Sequence, residues 1–349
     1  MRRFGNDRLR RSESEAKETV IRSIVLCGVL ITLFISCASF VTRRHPLADR
    51  VVCIDPGHGG TAAFDSYRVG PAGEREEWID LRVAIALKEM LEVRGARVLM
   101  TRTEDVDVPL KDRAFLAVTG GADVFLSIHH NATADSSVNF PIIYFHGNAS
   151  ENRASVQLGR LVARRLSEAL FDGHTPLSLV SDHTIFPEAG TAVLRHSYGI
   201  PGIIGEASFF THPDEEERLK DDAYNRKEAA AYVMALEEFF SHRIPPIHEK
   251  YSNGRIPPFA VFQEAERMDP VARRWKDDFY EGERLFQEGH TETLQHAYDL
   301  FTRSAKSFPD SWVAGKCHLY RWKILRLLNK TEEADLERKR VEEYYIDLK

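Results

Sequence analysis

Val51-Val52-Cys53-Ile54-Asp55-Pro56-Gly57-His58-Gly59-Gly60 sets the pattern for the chain. Its first five residues, apolar but for Asp55, form a run that stops at Pro56-Gly57, which suits a buried strand with a punctuated end. The loop is glycine-rich, but no Lys-Ser/Thr pair follows it, so it is not a phosphate-cradling P-loop. Downstream the strand–helix alternation repeats. Leu81 to Arg94 has apolar residues at Leu81, Ala84, Ile85, Leu87 and Leu91, a helical period, and Gly95 is placed to stop it. Ala96–Met100, Val124–Ile128 and Ile142–Phe145 read as further strands, and Val156–Leu170 as a long amphipathic helix. Val193-Leu194 and Ile203-Ile204 read as late strands and Tyr224–Phe240 as a closing helix. This predicts an α/β fold, a twisted and mostly parallel sheet sandwiched by helices. Active groups on such sheets gather at the carboxyl ends of strands.

Composition bounds the answer without supplying chemistry. Hydrophobic residues make up 43% and charged residues 29% of the 349, which excludes intrinsic disorder. The length suits about two folded units. A formal net charge of -6 offers no broad attraction for nucleic acid, so no nucleic-acid partner is expected. The 4 cysteines are too few for a disulfide scaffold, and Cys53 and Cys317 lie far apart.

Residues 1–22 carry a basic leader with Arg2, Arg3, Arg8, Arg10, Arg11, Lys17 and Arg22, and Ser23 to Val41 is uncharged and apolar. That is the layout of a signal peptide or signal anchor. Leu33-Phe34-Ile35-Ser36-Cys37 resembles a bacterial lipoprotein signal box, although Phe34 stands where an aliphatic residue is usual. The competing reading is an uncleaved spanning helix. Arg43 and Arg44 weigh against it, because positive charge prefers the cytoplasmic side. At the other end, Pro245, Pro246, Asn253-Gly254, Pro257 and Pro258 break all periodicity. Beyond them Tyr280–Glu288, Leu294–Phe308, Trp312–Leu328 and Glu332–Tyr345 read as helices. The expected organisation is a signal, lipoprotein or membrane-anchor segment (1–44), an α/β body (45–243), a Pro-rich linker (244–259) and a small all-helical C-terminal domain (260–349).

Four features carry chemistry. His58 lies where a strand-end loop can present an imidazole, although a single loop histidine is an ordinary thing. Ser127-Ile128-His129-His130-Asn131 ends a second strand. Gly73-Glu74-Arg75-Glu76-Glu77 precedes the first helix, where acids also complement the helix dipole. Glu206 follows Ile203-Ile204. Two imidazoles and one carboxylate fit catalytic zinc with an open position for water, and a spare carboxylate could serve as general base. No HExxH pair occurs, so such a site has to be assembled from distant loops.

The strings VVCIDPGHGG (51–60), GEREEWIDL (73–81), ADVFLSIHHNA (122–132) and GIPGIIGEASFF (199–210), in that order, resemble the zinc-dependent N-acetylmuramoyl-L-alanine amidases of the amidase-3 family. RGARVLMTRTED (94–105), LKDR (110–113) and TAVLRHSYGIP (191–201) agree with it, and the likeness covers about residues 51–241. The resemblance implies that His58, Glu76 and His129 hold Zn2+ and that Glu206 is the catalytic carboxylate. The family pattern of a glycine, two variable residues, the ligand Glu and usually Lys, begun at Gly73, lands on Glu76, with Glu77 in place of the Lys. The ligand histidine precedes a variable residue and then Asn, here Asn131, which selects His129 and leaves His130 in a slot where a small residue is frequent. Asn131 and Arg195 are the expected substrate-binding residues; Arg195 suits a bidentate carboxylate contact or, equally, a structural salt bridge. Cys53 reads as a buried strand residue, and His146 and His183 as plain loop histidines.

The implied reaction is hydrolysis of the amide between N-acetylmuramic acid and L-alanine of peptidoglycan stem peptides, in cell-wall remodelling or daughter-cell separation. The implied location is the extracytoplasmic side of the cell envelope, with the membrane reached through an N-terminal lipid or helix. In the tail Tyr280, Gly282, Gly289, Ala297, Phe301, Pro309, Trp312, Tyr320, Leu327 and Ala334 faintly resemble tetratricopeptide repeats, which would make it a protein-binding module instead of a helical appendage packed on the body. Two rival functions are a non-catalytic cell-wall or protein-binding scaffold and a zinc peptidase acting on cell-wall peptides.

Overall fold

The computed structural model describes residues 44–64 and 68–348. The proposed leader, apolar run and Cys37 therefore lie outside the described residues. In chain order the body contains β1 (Val51–Pro56), α1 (Glu76–Val93), β2 (Arg97–Met100), α2 (Leu110–Thr119), β3 (Val124–Asn131), β4 (Ile142–Phe145) and α3 (Arg153–Phe171). It continues with β5 (Ser178–Ser181), α4 (Ala192–His196), β6 (Gly202–Phe209), α5 (Pro213–Leu219) and α6 (Asp222–Ser241). The six strands lie in the order β2-β1-β3-β6-β4-β5. Every neighbouring pair is parallel except β4 and β6, which are antiparallel. The expected mostly parallel sheet is present.

Alternation along the strands sorts the core into two layers. Val52 and Ile54, Leu126 and Ile128, and Ile203 point to one face, where Val83, Leu87, Leu158, Val162, Tyr232, Leu236 and Phe239 of α1, α3 and α6 cover them. Cys53, Phe125, Tyr144 and Ile204 point to the other. Helix ends follow local chemistry. Gly95 adopts φ 84 just beyond α1, a left-handed stop open to glycine at little cost. Asn152 accepts a hydrogen bond from Ser155 N at the start of α3, and Asp221 accepts one from Ala223 N at the start of α6.

Val193-Leu194 is not a strand. It lies in the short helix α4, because an apolar pair alone carries no period and both residues are buried beneath a single helical turn. The stretch 171–190 contains the edge strand β5, which the sequence does not announce. Four residues with serine at each end give too little alternation to be read.

The tail holds α7 (Glu264–Arg267), α8 (Trp275–Glu288), α9 (Thr291–Ser307), α10 (Ala314–Leu327) and α11 (Thr331–Tyr344). Its apolar residues Trp275, Phe279, Phe301, Phe308 and Ile324 belong to one cluster with Phe125, Tyr144, Ile204 and Phe209 of the sheet. Each fully buried aromatic of this kind is worth about 1.5–3 kcal/mol of burial. The described residues from His45 onward thus form one compact unit. The Pro-rich stretch that joins body to tail is tied down: the Glu151 carboxylate accepts from Tyr251 N, Asn253 N and the Ser252 hydroxyl. Among the described residues no helix is long and apolar enough to cross a membrane.

Candidate active site

The loop after β1 is built to present His58. That residue has φ 53, a left-handed conformation uncommon for a side chain larger than glycine, and it is followed by Gly59 at φ 118. The loop is held from behind by two arginines. Arg102 donates to Pro56 O and Gly57 O, and Arg113 donates to Pro56 O and His58 O while pairing with Asp55 at 3.0 Å. Both arginine side chains are buried. A Cβ on Gly59 would stand 2.4 Å from Val106 O, so this close approach needs glycine.

The acidic cluster before α1 is sorted by its neighbours. Glu74 pairs with Arg82 at 2.8 Å and Glu77 with Arg75 at 2.7 Å. Glu76 turns to the histidines: its Oε1 lies 3.0 Å from His58 Nε2 and 3.0 Å from His129 Nδ1. The two imidazoles meet edge to face with ring centroids 4.8 Å apart. One ligand atom from each of His58, Glu76 and His129 lies within 4.8 Å of the others. The structure thus brings together the three residues read as ligands, from a loop, a helix start and a strand.

The three side chains perturb one another's charge. Burial alone would raise the Glu76 carboxyl, but His58 and His129 hold it well below the usual carboxylate range. Burial holds His129 below the ordinary imidazole value, toward the neutral form that ligates metal. For His58 burial acts in the same direction, but the Glu76 carboxylate outweighs it and raises the value.

Glu206 sits on β6 directly across the ladder from His129 on β3. Its Oε2 is buried without a hydrogen-bond partner among the described residues. Burial first, then the nearby Glu76, Asp80 and Asp310, push this carboxyl well above the usual carboxylate range. A buried, unpartnered oxygen beside two imidazoles and a carboxylate is a donor arrangement that fits a divalent metal with its water. His58, Glu76, His129 and Glu206 all line one cavity of about 1150 Å³, as do Asn131 and Arg195. Asn131 Oδ1 accepts from Ala132 N, and Arg195 donates to the carbonyls of Ala189 and Gly190.

His130 points the other way, as the next residue on a strand must. It is buried between Asp80 at 2.9 Å and Glu228 at 3.0 Å. Burial pushes Asp80 up to about 7, whereas Glu228 and Asp80 overcome burial to hold His130 well above the imidazole range. Neither carboxylate is near His130 in sequence, so the sequence carries no signal of this network. The roles of Arg102 and Arg113 are equally hidden, although both fall in segments that carry the family resemblance. A second group, His146, Asp182 and His183, is also buried. Asp182 there accepts from Thr191 N and Oγ1 and faces His146 Nδ1, which fastens the loop beside the cavity. Cys53 is fully buried, and burial pushes its thiol up to about 12.

Comparison with known proteins gives a consistent result. The family described as N-acetylmuramoyl-L-alanine amidase matches residues 52–238, more than half of the chain. The N-acetylmuramoyl-L-alanine amidase AmiA of Salmonella typhimurium is 29% identical over 223 residues, covering 55% of this chain and 76% of that protein. AmiA of Escherichia coli is 28% identical over 223 residues with the same shares, 55% and 76%. A solved structure, AmiC2 of Nostoc punctiforme, is 26% identical with a TM-score of 0.47 and covers 55% of this chain and 98% of that one. With the family match spanning every element that carries the site, the chain belongs to the N-acetylmuramoyl-L-alanine amidases and is an amidase of peptidoglycan.

Proposed function

We propose that this amidase is zinc-dependent, with His58, Glu76 and His129 holding the ion and Glu206 acting as the proton-transfer residue. The observation that carries the reading is the convergence of two imidazoles and one carboxylate, from segments far apart in sequence, beside a buried carboxylate oxygen that has no partner. Zinc bound there would polarise the amide carbonyl and make its water more acidic than bulk water. Glu206 accepts the proton released as the water oxygen bonds to the amide carbon. Its raised proton affinity then lets it hold that proton and return it to the nitrogen of L-alanine as the C–N bond breaks. The products are the lactyl carboxylate on the glycan and a peptide with a free amine. Asn131 and Arg195, on the cavity lining, orient the substrate.

The chain is further proposed to work outside the cytoplasm, held at the membrane by a lipidated Cys37 or by the apolar run 23–41. Support for this is the basic leader and the apolar run that follows it. Intact mass separates the two tethers, since the first begins the mature chain at Cys37 and the second at Met1. The tail keeps a protein-binding reading as a proposal, supported by its successive helices and by Gly282 seated on the ring of Phe301.

The direct test is release of stem peptide from purified peptidoglycan. Chelation is expected to abolish release and zinc to restore it; full activity without metal would refute the mechanism. Release of amino acids from stem peptides that lack muramic acid would instead indicate a peptidase.

The close packing at Gly57 gives a further prediction. A Cβ there would lie 2.4 Å from His129 Cε1 and 2.7 Å from Asp80 Oδ2. Gly57→Ala therefore has to move His129, and metal affinity is expected to fall about 10- to 100-fold, read by titration with a zinc-buffered chelator. Unchanged affinity would show that His129 is free to shift without leaving the site.

A further inference from the structure

The cavity that holds the proposed zinc ligands has a second wall, made by residues outside the family-matched region: Phe262, Arg267, Met268, Arg273, Trp275 and Asp310. This wall is fastened to the sheet. The Tyr144 hydroxyl on β4 donates to Asp310 Oδ2. Trp275 packs edge to face on Phe308 at 5.0 Å, and Phe308 in turn packs on Phe140 at 6.0 Å and Phe209 at 6.3 Å. Phe262 N donates to Lys306 O at 3.0 Å, tying the segment before α7 to the end of α9.

The lining carries both signs of charge, with Asp107, Asp135 and Asp310 on it as well as five arginines. Arg113 is neutralised by Asp55, and Arg68 lies 3.9 Å from Glu76. Arg267 is half-buried and donates through Nε to Phe262 O at 3.0 Å, a contact that fixes the side chain without neutralising it. Among the described residues neither Arg267 nor Arg273 has a carboxylate within ion-pair distance. A guanidinium held outside any ion pair on a cavity wall suits forked contacts to carboxylates. A peptide ends in a carboxylate, and any acidic residue adds another, whereas the neutral sugar hydroxyls of a glycan offer none.

We infer that the C-terminal segment supplies the peptide-binding wall of the active site, with Arg267 and Arg273 binding free carboxylates of the stem peptide. The inference rests on the amidase reading of the site. It makes the tail part of substrate recognition as well as part of the fold.

The test uses the full-length chain and two soluble N-acetylmuramoyl peptides of the same sequence, one with free carboxylates and one with every carboxylate amidated. Wild type is expected to prefer the free-carboxylate substrate. Arg267→Ala/Arg273→Ala should lose about 10- to 100-fold in kcat/KM on that substrate, through KM with kcat held. On the amidated substrate it should stay within about twofold of wild type, the scale of a surface change. Lysine at both positions should restore only part of the loss, because it keeps the charge without the fork. Equal losses on both substrates, or a wild type indifferent to amidation, would overturn the inference and leave the amidase standing. Equilibrium binding of the two peptides to the Glu206→Gln chain, with and without the arginine changes, judges the wall without turnover. No preference for the free carboxylates there would likewise overturn it.

Discussion

Glu206→Gln is expected to bind zinc as wild type does and to lose about 100- to 10,000-fold in kcat, the usual contribution of a placed proton-transfer group. The substitution keeps size and shape, so the packing of β6 against β3 should hold. What it removes is the ability to take and return a proton. Glu206 suits that role because burial and the neighbouring Glu76, Asp80 and Asp310 raise its affinity for a proton, and because Oε2 has no competing partner. Steady-state release of stem peptide, measured beside metal content, checks both halves. A near-native rate would mean that the proton goes elsewhere.

His129→Ala is expected to fail differently: zinc should be lost together with activity, which should fall to the level of the chelated enzyme. His129 presents Nδ1 3.0 Å from Glu76 Oε1 from the strand side, and burial shifts it toward the neutral form that ligates metal. Losing one of three protein ligands leaves two, too few for a stable zinc centre. Metal analysis after dialysis gives the direct readout. A His129→Ala chain that retains stoichiometric zinc would remove this residue from the ligand set, while the Glu206→Gln result would stand unaffected. The pair of variants therefore separates metal holding from proton transfer.

Much of the fold and of the site is legible in the amino-acid sequence. The apolar run Val51–Ile54 and its Pro-Gly stop after Asp55, the periodic helix ended by Gly95, and the four ordered motifs are local signals. Local signals survive folding when the tertiary structure asks for the same conformation that the segment prefers. That agreement is what places His58 and His129 at strand ends and Glu76 at a helix start.

Other features depend on partners distant in the chain. The acidic run offers Glu74, Glu76 and Glu77 on equal terms. The family resemblance selects Glu76, and the positions of Arg82 and Arg75 give the physical reason: two of the acids are engaged elsewhere and the third faces the histidines. His129 and His130 are chemically the same, but the twofold alternation of a strand sends one into the cavity and the other between Asp80 and Glu228. Val193-Leu194 fits a strand or a helix equally well as a pair, and the burial of one short turn decides between them. The tail helices are recognisable one by one from their period. That their aromatics cover the second face of the sheet, and carry Arg267, Arg273 and Asp310 to the cavity beside Glu206, is not. Short-range periodicity and turn chemistry set the elements and the order of the chemical groups, and both are written in neighbouring residues. Which like residues meet is settled only in the folded chain, because it depends on the long-range register of β1, β3 and β6 and on what packs against them.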